Sequence, residues 1–533
     1  MTVETMALNL STPGVYVQEV NAFPNSVVPV ATALPAFIGY TARADYKGKS
    51  YKNKPVLINS LSDYLTFFGA MGPGNGGAPP APLPPSGQYW PRYVLVPAGS
   101  KDEPDLQLGG KDYVLRPDPS TVFYLYNSIR LFFLNGGASA YVCSVGFMPA
   151  PPASPKPLQS GAPLVNLNVS VGDLETGLEA VKKLSDPTML VVPDATLLSQ
   201  DDNAQLMQEM LAQAAYTQSR VAILDVPGGL APDPELWQND ITQFRTSVGT
   251  NGVDYGLAYY PFLETSVSSV GHVTYDNLGG VKALSSVLSD AQQPSVAAVL
   301  GNIQKPPPAP NTPTPKQSNQ ALLIASTDYA ALYTVLLEKV NLLPPCGAIA
   351  GVLTAVDNAR GVWKAPANVS IDAAVKPTLH ITDDSQASLN VDAVSGKSVN
   401  AIRLFTGKGV LVWGARTLDG NSEDWRYVNV RRTAIMIEQS LRLASAAYVF
   451  EPNDANTWTT VAAMFENFLS DLWKQGALAG SKPSDAFQVA VGLGKTMTAE
   501  DIANGIMRIA VNVAITHPAE FIVITFSQMM QKS

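Results

Sequence analysis

The 533-residue chain carries 35 Lys+Arg against 44 Asp+Glu, a net charge of −9, with only 15% charged residues. That length has room for roughly three domains of about 150 residues each, and for substantial cores. From Arg403 onward, Lys+Arg and Asp+Glu balance at 12 each, so the acidity lies upstream and nowhere does positive charge cluster as nucleic-acid binding requires.

No apolar run approaches the ~18–20 residues needed to span a bilayer. The N-terminus carries Glu4 and no basic-then-apolar leader pattern, so a soluble protein made and kept in the cytoplasm is expected. Cys143 and Cys346 are far apart and fit no metal or redox spacing; both read as small buried hydrophobes of a reducing compartment.

In chain order, residues 1–12 are polar and small, and Val15, Tyr16, Val17 and Val20 then mark a short strand between a Thr-Pro turn and an Asn. With no hairpin partner beside it, this strand is a candidate for donation to another sheet edge. Residues 35–40 form a second, buried strand. Residues 41–165 are broken by Pro- and Gly-rich stretches at 71–87 and 147–163, which cannot form helix or central strand. Between them a helix over 124–135 ends at Gly136-Gly137 and leads to a strand over 140–145. Residues 170–264 alternate helix and apolar strand: helices at 174–184, 203–216 and 241–247, strands at 189–195, 220–227 and 255–264. Such repetition with near-continuous apolar strands implies a parallel sheet covered by helices. Residues 265–320, with a proline-rich spacer at 305–316, read as a less ordered peripheral insertion, followed by a helix over 328–342.

From Phe405 onward the pattern is a strand, two amphipathic helices, a short capped helix and two strands. The first helix, starting near Arg431, places Ala434, Ile437, Leu441, Ala444 and Tyr448 on one stripe, and the turn at 451–454 stops it. The second aligns Trp458, Val461, Phe465, Phe468 and Leu472, widened by Met464, Leu469 and Trp473, and ends at Gly476 and Gly480. Two such helices read as an antiparallel pair covering a sheet. The last strand, Phe521, Ile522, Val523, Ile524, Thr525 and Phe526, is apolar on both faces. The chain thus carries a sticky strand at each end.

Motifs that suggest chemistry fail on inspection. Gly492 to Thr496 ends like a phosphate-binding loop, but Val489 stands where the pattern needs glycine, and Met497 and Thr498 intervene before a helix capped by Thr498 and Asp501. Gly72, Gly74 and Gly77 spell GxGxxG, but Ala78-Pro79-Pro80 follows and no helix can receive a phosphate there. His272, His380 and His517 have no nucleophile elbow or HExxH context. Asp201-Asp202 and Asp383-Asp384 lack calcium-loop spacing and read as solvated turns. Arg431 and Arg432 differ: two cations at a helix start oppose its dipole. Either local acids such as Glu423 and Asp424 compensate them, or they make a charged contact to a neighbouring subunit or an inner tube.

VWGARTL, WRYVNVRR, the FEPND turn, ENFLSDLW and PAEFIV, with GVWKAPAN upstream and TPGVYVQEV and FIGYTARA near the N-terminus, resemble the contractile tail sheath family of phage tails and phage-tail-like injection particles. The likeness is dense over 340–526 and patchy between the ends. It implies a multidomain α/β and α+β fold: an N-terminal arm (1–40), a loop-rich outer domain (41–165), an α/β middle domain (166–340, with the insertion at 265–320) and a C-terminal core (341–533). In such a fold Val15, Tyr16, Val17 and Val20, and Phe521, Ile522, Val523, Ile524 and Phe526, would pair with neighbouring subunits. It implies a structural subunit of hexameric rings stacked in a helical sheath around an inner tube protein, with baseplate and terminal cap proteins as further partners. Neither cofactor, metal, nucleic acid nor membrane insertion is expected, and the particle would assemble in the bacterial cytoplasm. The texture of the short C-terminal motifs favours the injection particle over a phage virion. The rivals from other classes are a nucleotide-binding α/β enzyme using the 170–264 sheet, and a monomeric adhesin or binding module.

Overall fold

The computed structural model describes residues 26–72, 89–100, 102–152, 154–308 and 311–523. The strand expected at Val15–Val20 and the residues Ile524, Thr525 and Phe526 lie outside them. The chain divides into two compact units, one of Ala31–Met436 with the segment from Ile515 on, the other of the residues up to Val30 with Ile437–Ala514.

The larger unit is built on a nine-stranded sheet among the described residues. Its centre is parallel: Asn400–Phe405, Gly256–Tyr260, Val221–Asp225, Met189–Val191, Pro35–Thr41 and Ala140–Phe147 lie side by side in that order. Antiparallel strands close both edges, Val56–Ile58 beside Ala140–Phe147, and Gly409–Val412 then Val369–Ser370 beside Asn400–Phe405. The central strands are buried along their whole length in four cases, Pro35–Thr41, Met189–Val191, Val221–Asp225 and Gly256–Tyr260. They read as continuous apolar runs because helices cover a parallel sheet.

Two helix pairs pack on it, Leu125–Leu134 with Cys346–Arg360, and Val171–Lys182 with Gln200–Thr217. In the first pair the backbones approach closely because Gly347 and Gly351 face the other helix. A Cβ at Gly347 would stand 2.4 Å from the Ser128 carbonyl oxygen, and one at Gly351 2.6 Å from that of Phe132.

Three segments depart from the expectations. The stretch read as a less ordered insertion at 265–320 carries helices Val281–Val287, Pro294–Gln304 and the start of Pro315–Ala325. The last opens on a capping box in which Thr314 and Gln317 satisfy each other's backbone, with Pro315 at the first helical turn, so a proline that reads as spacer is in fact a helix start. Strands Tyr93–Pro97, Lys111–Pro117 and Leu106–Leu108 form an antiparallel sheet inside the supposedly loop-rich stretch. Asp201-Asp202 and Asp383-Asp384 are not turns but the first-turn acids of helices Gln200–Thr217 and Asp383–Asn390, where the helix dipole favours negative charge.

In the smaller unit, helix Ala455–Lys474 starts where the Asp454 carboxylate accepts hydrogen bonds from the Asn456 and Thr457 amides, each at 3.0 Å. It buries Val461, Met464, Phe465, Phe468, Leu469 and Leu472 and lies on the strand Phe487–Val491. That strand pairs antiparallel with Ile509–Val513. Helix Val428–Ser445 begins three residues before Arg431, and the stripe Ala434, Ile437, Leu441, Ala444 and Tyr448 is buried while Glu438 and Arg442 are exposed.

Candidate assembly surfaces

Among the described residues no group of three or more His, Cys, Asp or Glu side chains could hold a metal ion, and no helix is long and apolar enough to cross a membrane. His380 and His517 are exposed, and the His272 ring nitrogen accepts the Ser269 amide at 3.0 Å. In the glycine loop after Val491, the Gly494, Lys495 and Met497 amides are spent on carbonyls of the same loop, which leaves no cradle for a phosphate. A cavity of about 630 Å³ lies between Leu164, Met207, Phe244 and Phe262, and none of the three histidines lines it.

The two-stranded sheet of the smaller unit offers something different. Helix Ala455–Lys474 supports it, yet no third strand pairs with either outer edge among the described residues. Phe487–Val491 and Ile509–Val513 are β-branched, aromatic and alanine-rich and only partly buried. An isolated two-stranded sheet is marginal, and free edges present rows of unpaired amides and carbonyls to an incoming strand.

The C-terminal segment is the second surface. Phe521, Ile522 and Val523 are 71%, 79% and 88% exposed and pair with no strand among the described residues. Glu520, just before them, is held within the larger unit. Arg416 reaches its carboxylate with Nη2 at 2.6 Å and Nε at 3.0 Å, Asn390 Nδ2 donates at 2.7 Å and the Tyr427 hydroxyl at 3.1 Å. Burial pushes this carboxyl up, but the hydrogen bonds from Arg416, Asn390 and Tyr427 and the Arg416 charge outweigh it and hold the group below the usual glutamate range.

Arg431 and Arg432 are 3% and 4% exposed, and each faces an aspartate of the larger unit. Arg432 grips Asp357 through both carboxylate oxygens, at 2.9 and 2.6 Å, and donates to the Thr32 carbonyl at 2.9 Å. Arg431 lies 3.4 Å from Asp254, with its guanidinium 4.5 Å from the Tyr255 ring centre and 4.0 Å from that of Trp425. Asp357 and Asp254 are acids that face them. Those partners stand 75 and 177 positions away, beyond reach of any local pattern.

Residues 421–528 match the phage tail sheath C-terminal domain family. The chain is 26% identical over 159 residues to the tail sheath protein of Burkholderia phage BcepMu and 25% identical over 158 residues to that of Salmonella phage ViI, 29% of this chain in each case. The matched stretches span 33% and 24% of those two relatives. Solved structures match nearly end to end. The contracted PVC sheath complex of an extracellular contractile injection system is 26% identical with a TM-score of 0.56, covering 97% of this chain and 98% of its own. The contracted helical sheath of the anti-feeding prophage is 25% identical with a TM-score of 0.57, covering 97% and 99%.

Proposed function

From the match of residues 421–528 to the phage tail sheath C-terminal domain family and the end-to-end likeness to two solved sheaths, we propose that the chain is a phage tail sheath family member and the structural subunit of a contractile injection particle's sheath. Copies polymerise around an inner tube, and contraction drives that tube through a target envelope. The observation that carries the reading is a mismatch within one chain: a two-stranded sheet with two open edges, and an apolar end at Phe521–Val523 with no strand partner among the described residues. Near-complete coverage by the PVC and anti-feeding prophage sheaths favours an injection particle over a phage virion, and the phage tail is the second reading.

In the proposed assembly the strand around Val15, Tyr16, Val17 and Val20 and the strand Phe521, Ile522, Val523, Ile524 and Phe526 add to the two-stranded sheets of neighbouring copies. Head-to-tail additions of this kind do not close, so they generate a helical sleeve of stacked rings. The strand links persist while the bodies rotate into better-packed contacts. Obligate interfaces bury on the order of 2,000–5,000 Å², so the change in packing over many copies suffices without nucleotide. The inner tube, the baseplate and a terminal cap are the partners such a sleeve requires.

The test is negative-stain microscopy of the purified protein, alone and with its tube partner. Striated hollow sleeves support the reading. A monodisperse monomer under all conditions contradicts it and favours the binding-module alternative.

A further inference from the structure

We infer that Glu520 is the positioning residue of the C-terminal tether: it clips the root of the tail to the larger unit, so that tension on the tail enters the nine-stranded sheet instead of the two-stranded one. The source of that tension rests on the sheath reading above; the clip itself rests on contacts within one unit.

Chain order sets the problem. Strand Ile509–Val513 ends the smaller unit's sheet, residues 515–520 follow in the larger unit, and the exposed Phe521, Ile522 and Val523 come next. If residues 515–520 were loose, a pull on the tail would act directly on Ile509–Val513. That strand is held by a single neighbour, Phe487–Val491, among the described residues, and would be the first element to peel.

Residues 515–520 are not loose. The Thr516 carbonyl accepts the Asn429 side-chain amide at 2.9 Å, and the His517 ring stands edge-on to Tyr427 at 5.7 Å. Glu520 then receives donors from three separate segments, Arg416, Asn390 and Tyr427. The Arg416 side chain is 4% exposed and that of Glu520 20%, so the paired, charge-assisted bonds are shielded from water where they are strongest.

Arg416 is itself strapped to the sheet. Its amide donates to Asn400 Oδ1 at 2.8 Å, Asn400 Nδ2 donates back to its carbonyl at 2.8 Å, and the same Nδ2 donates to the Ala258 carbonyl at 3.0 Å. Asn400 and Ala258 lie on adjacent central strands. A hydrogen-bonded path thus runs from the tail root into the parallel core. The same device stands near the other end of the chain, where Arg432 and Asp357 together hold Thr32 by its carbonyl and hydroxyl, the latter at 2.6 Å.

Single-molecule pulling on the intact subunit tests this, with one handle at the C-terminus and one on a cysteine replacing Leu167, a 93% exposed residue of the larger unit. Cys143 and Cys346 are buried and leave the introduced thiol as the attachment point. In the wild type the first rupture should release only the tail root, with loss of the two-stranded sheet as a later, separate step. In Glu520→Gln the first rupture should shift to lower force and merge with loss of that sheet, and Glu520→Asp, which keeps the charge, should restore two steps. A first rupture unchanged in force and length in Glu520→Gln overturns the clip. A spin label on Ala519→Cys gives a readout without force: immobilised in the otherwise wild-type chain and mobile with Glu520→Gln, whereas equal mobility in both overturns the proposal. Should Glu520→Gln fail to fold, Asn390→Ala, which removes one donor and leaves the ion pair, is read in the same two assays. Sleeve formation is scored separately, so wild-type protein that forms none overturns the sheath reading, and the rupture pattern judges the clip.

Discussion

The Asp357 side chain is 3% exposed, and its partner Arg432 is 4% exposed. Removing one member of such a pair strands the other as a buried charge. Asp357→Ala should therefore cost about 3–5 kcal/mol in urea denaturation, while Arg432→Met with Asp357→Leu should recover most of the loss. Buried aspartates elsewhere make stability depend on pH. Burial pushes Asp225 up to about 7 against the hydrogen bond it accepts from the Cys346 amide, and pushes Asp194 up to about 6 despite the Tyr124 and Tyr40 amides it accepts. Between the unfolded value near ~3.9 and these native values, the native state holds protons the unfolded chain has lost, so both contributions fall as pH rises. Asp225→Asn should gain melting temperature relative to wild type from pH 5 to pH 8, and a constant difference would contradict this. Glu520 has the opposite sign: its contribution is present above the unfolded glutamate value and is lost as pH falls through its lowered native value. Phe450 is fully exposed at φ +73°, a left-handed conformation costing a non-glycine residue roughly 1–2 kcal/mol. Phe450→Gly should be neutral or up to about 1 kcal/mol more stable by the same denaturation assay, since glycine's greater unfolded-state freedom takes back part of the gain.

At the scale of elements, the sheath reading predicts that deleting residues 1–20 or 520–533 leaves a folded subunit, checked by circular dichroism, that forms no sleeves under the microscope. Normal sleeves from either truncation would contradict strand exchange. The elements that were legible in sequence are those with a strong period. Helix Ala455–Lys474 buries Val461, Phe465, Phe468 and Leu472 as its spacing requires, and Val221–Asp225 is the continuous apolar run of a buried parallel strand. The elements that were not legible have weak periods or misleading prolines. Pro315–Ala325 is polar over its first half and declares itself only through its Thr314–Gln317 cap. Cys346–Arg360 is buried over most of its length, so it shows no amphipathic stripe to read. The candidate surface divides the same way. The apolar end at Phe521 is plain in one dimension, but the contacts that hold Glu520 come from Asn390, Arg416 and Tyr427, 93 to 130 positions upstream.

At the scale of the whole molecule, the small sheet has no third strand and the Phe521–Val523 end has no strand partner among the described residues, and the sheath reading has copies of the chain complete one another. The most direct measurement is an oxidative cross-link with two differently tagged populations of the full chain. One carries Val523→Cys; the other carries a cysteine at Val489 or Val511, on the two strands of the small sheet. Mixed and assembled together, the populations should yield a heterodimeric cross-linked band in sleeves and none in the unassembled mixture. A cross-link that forms only when both cysteines sit in the same chain, at any concentration, would show each molecule completing its own sheet and contradict the account.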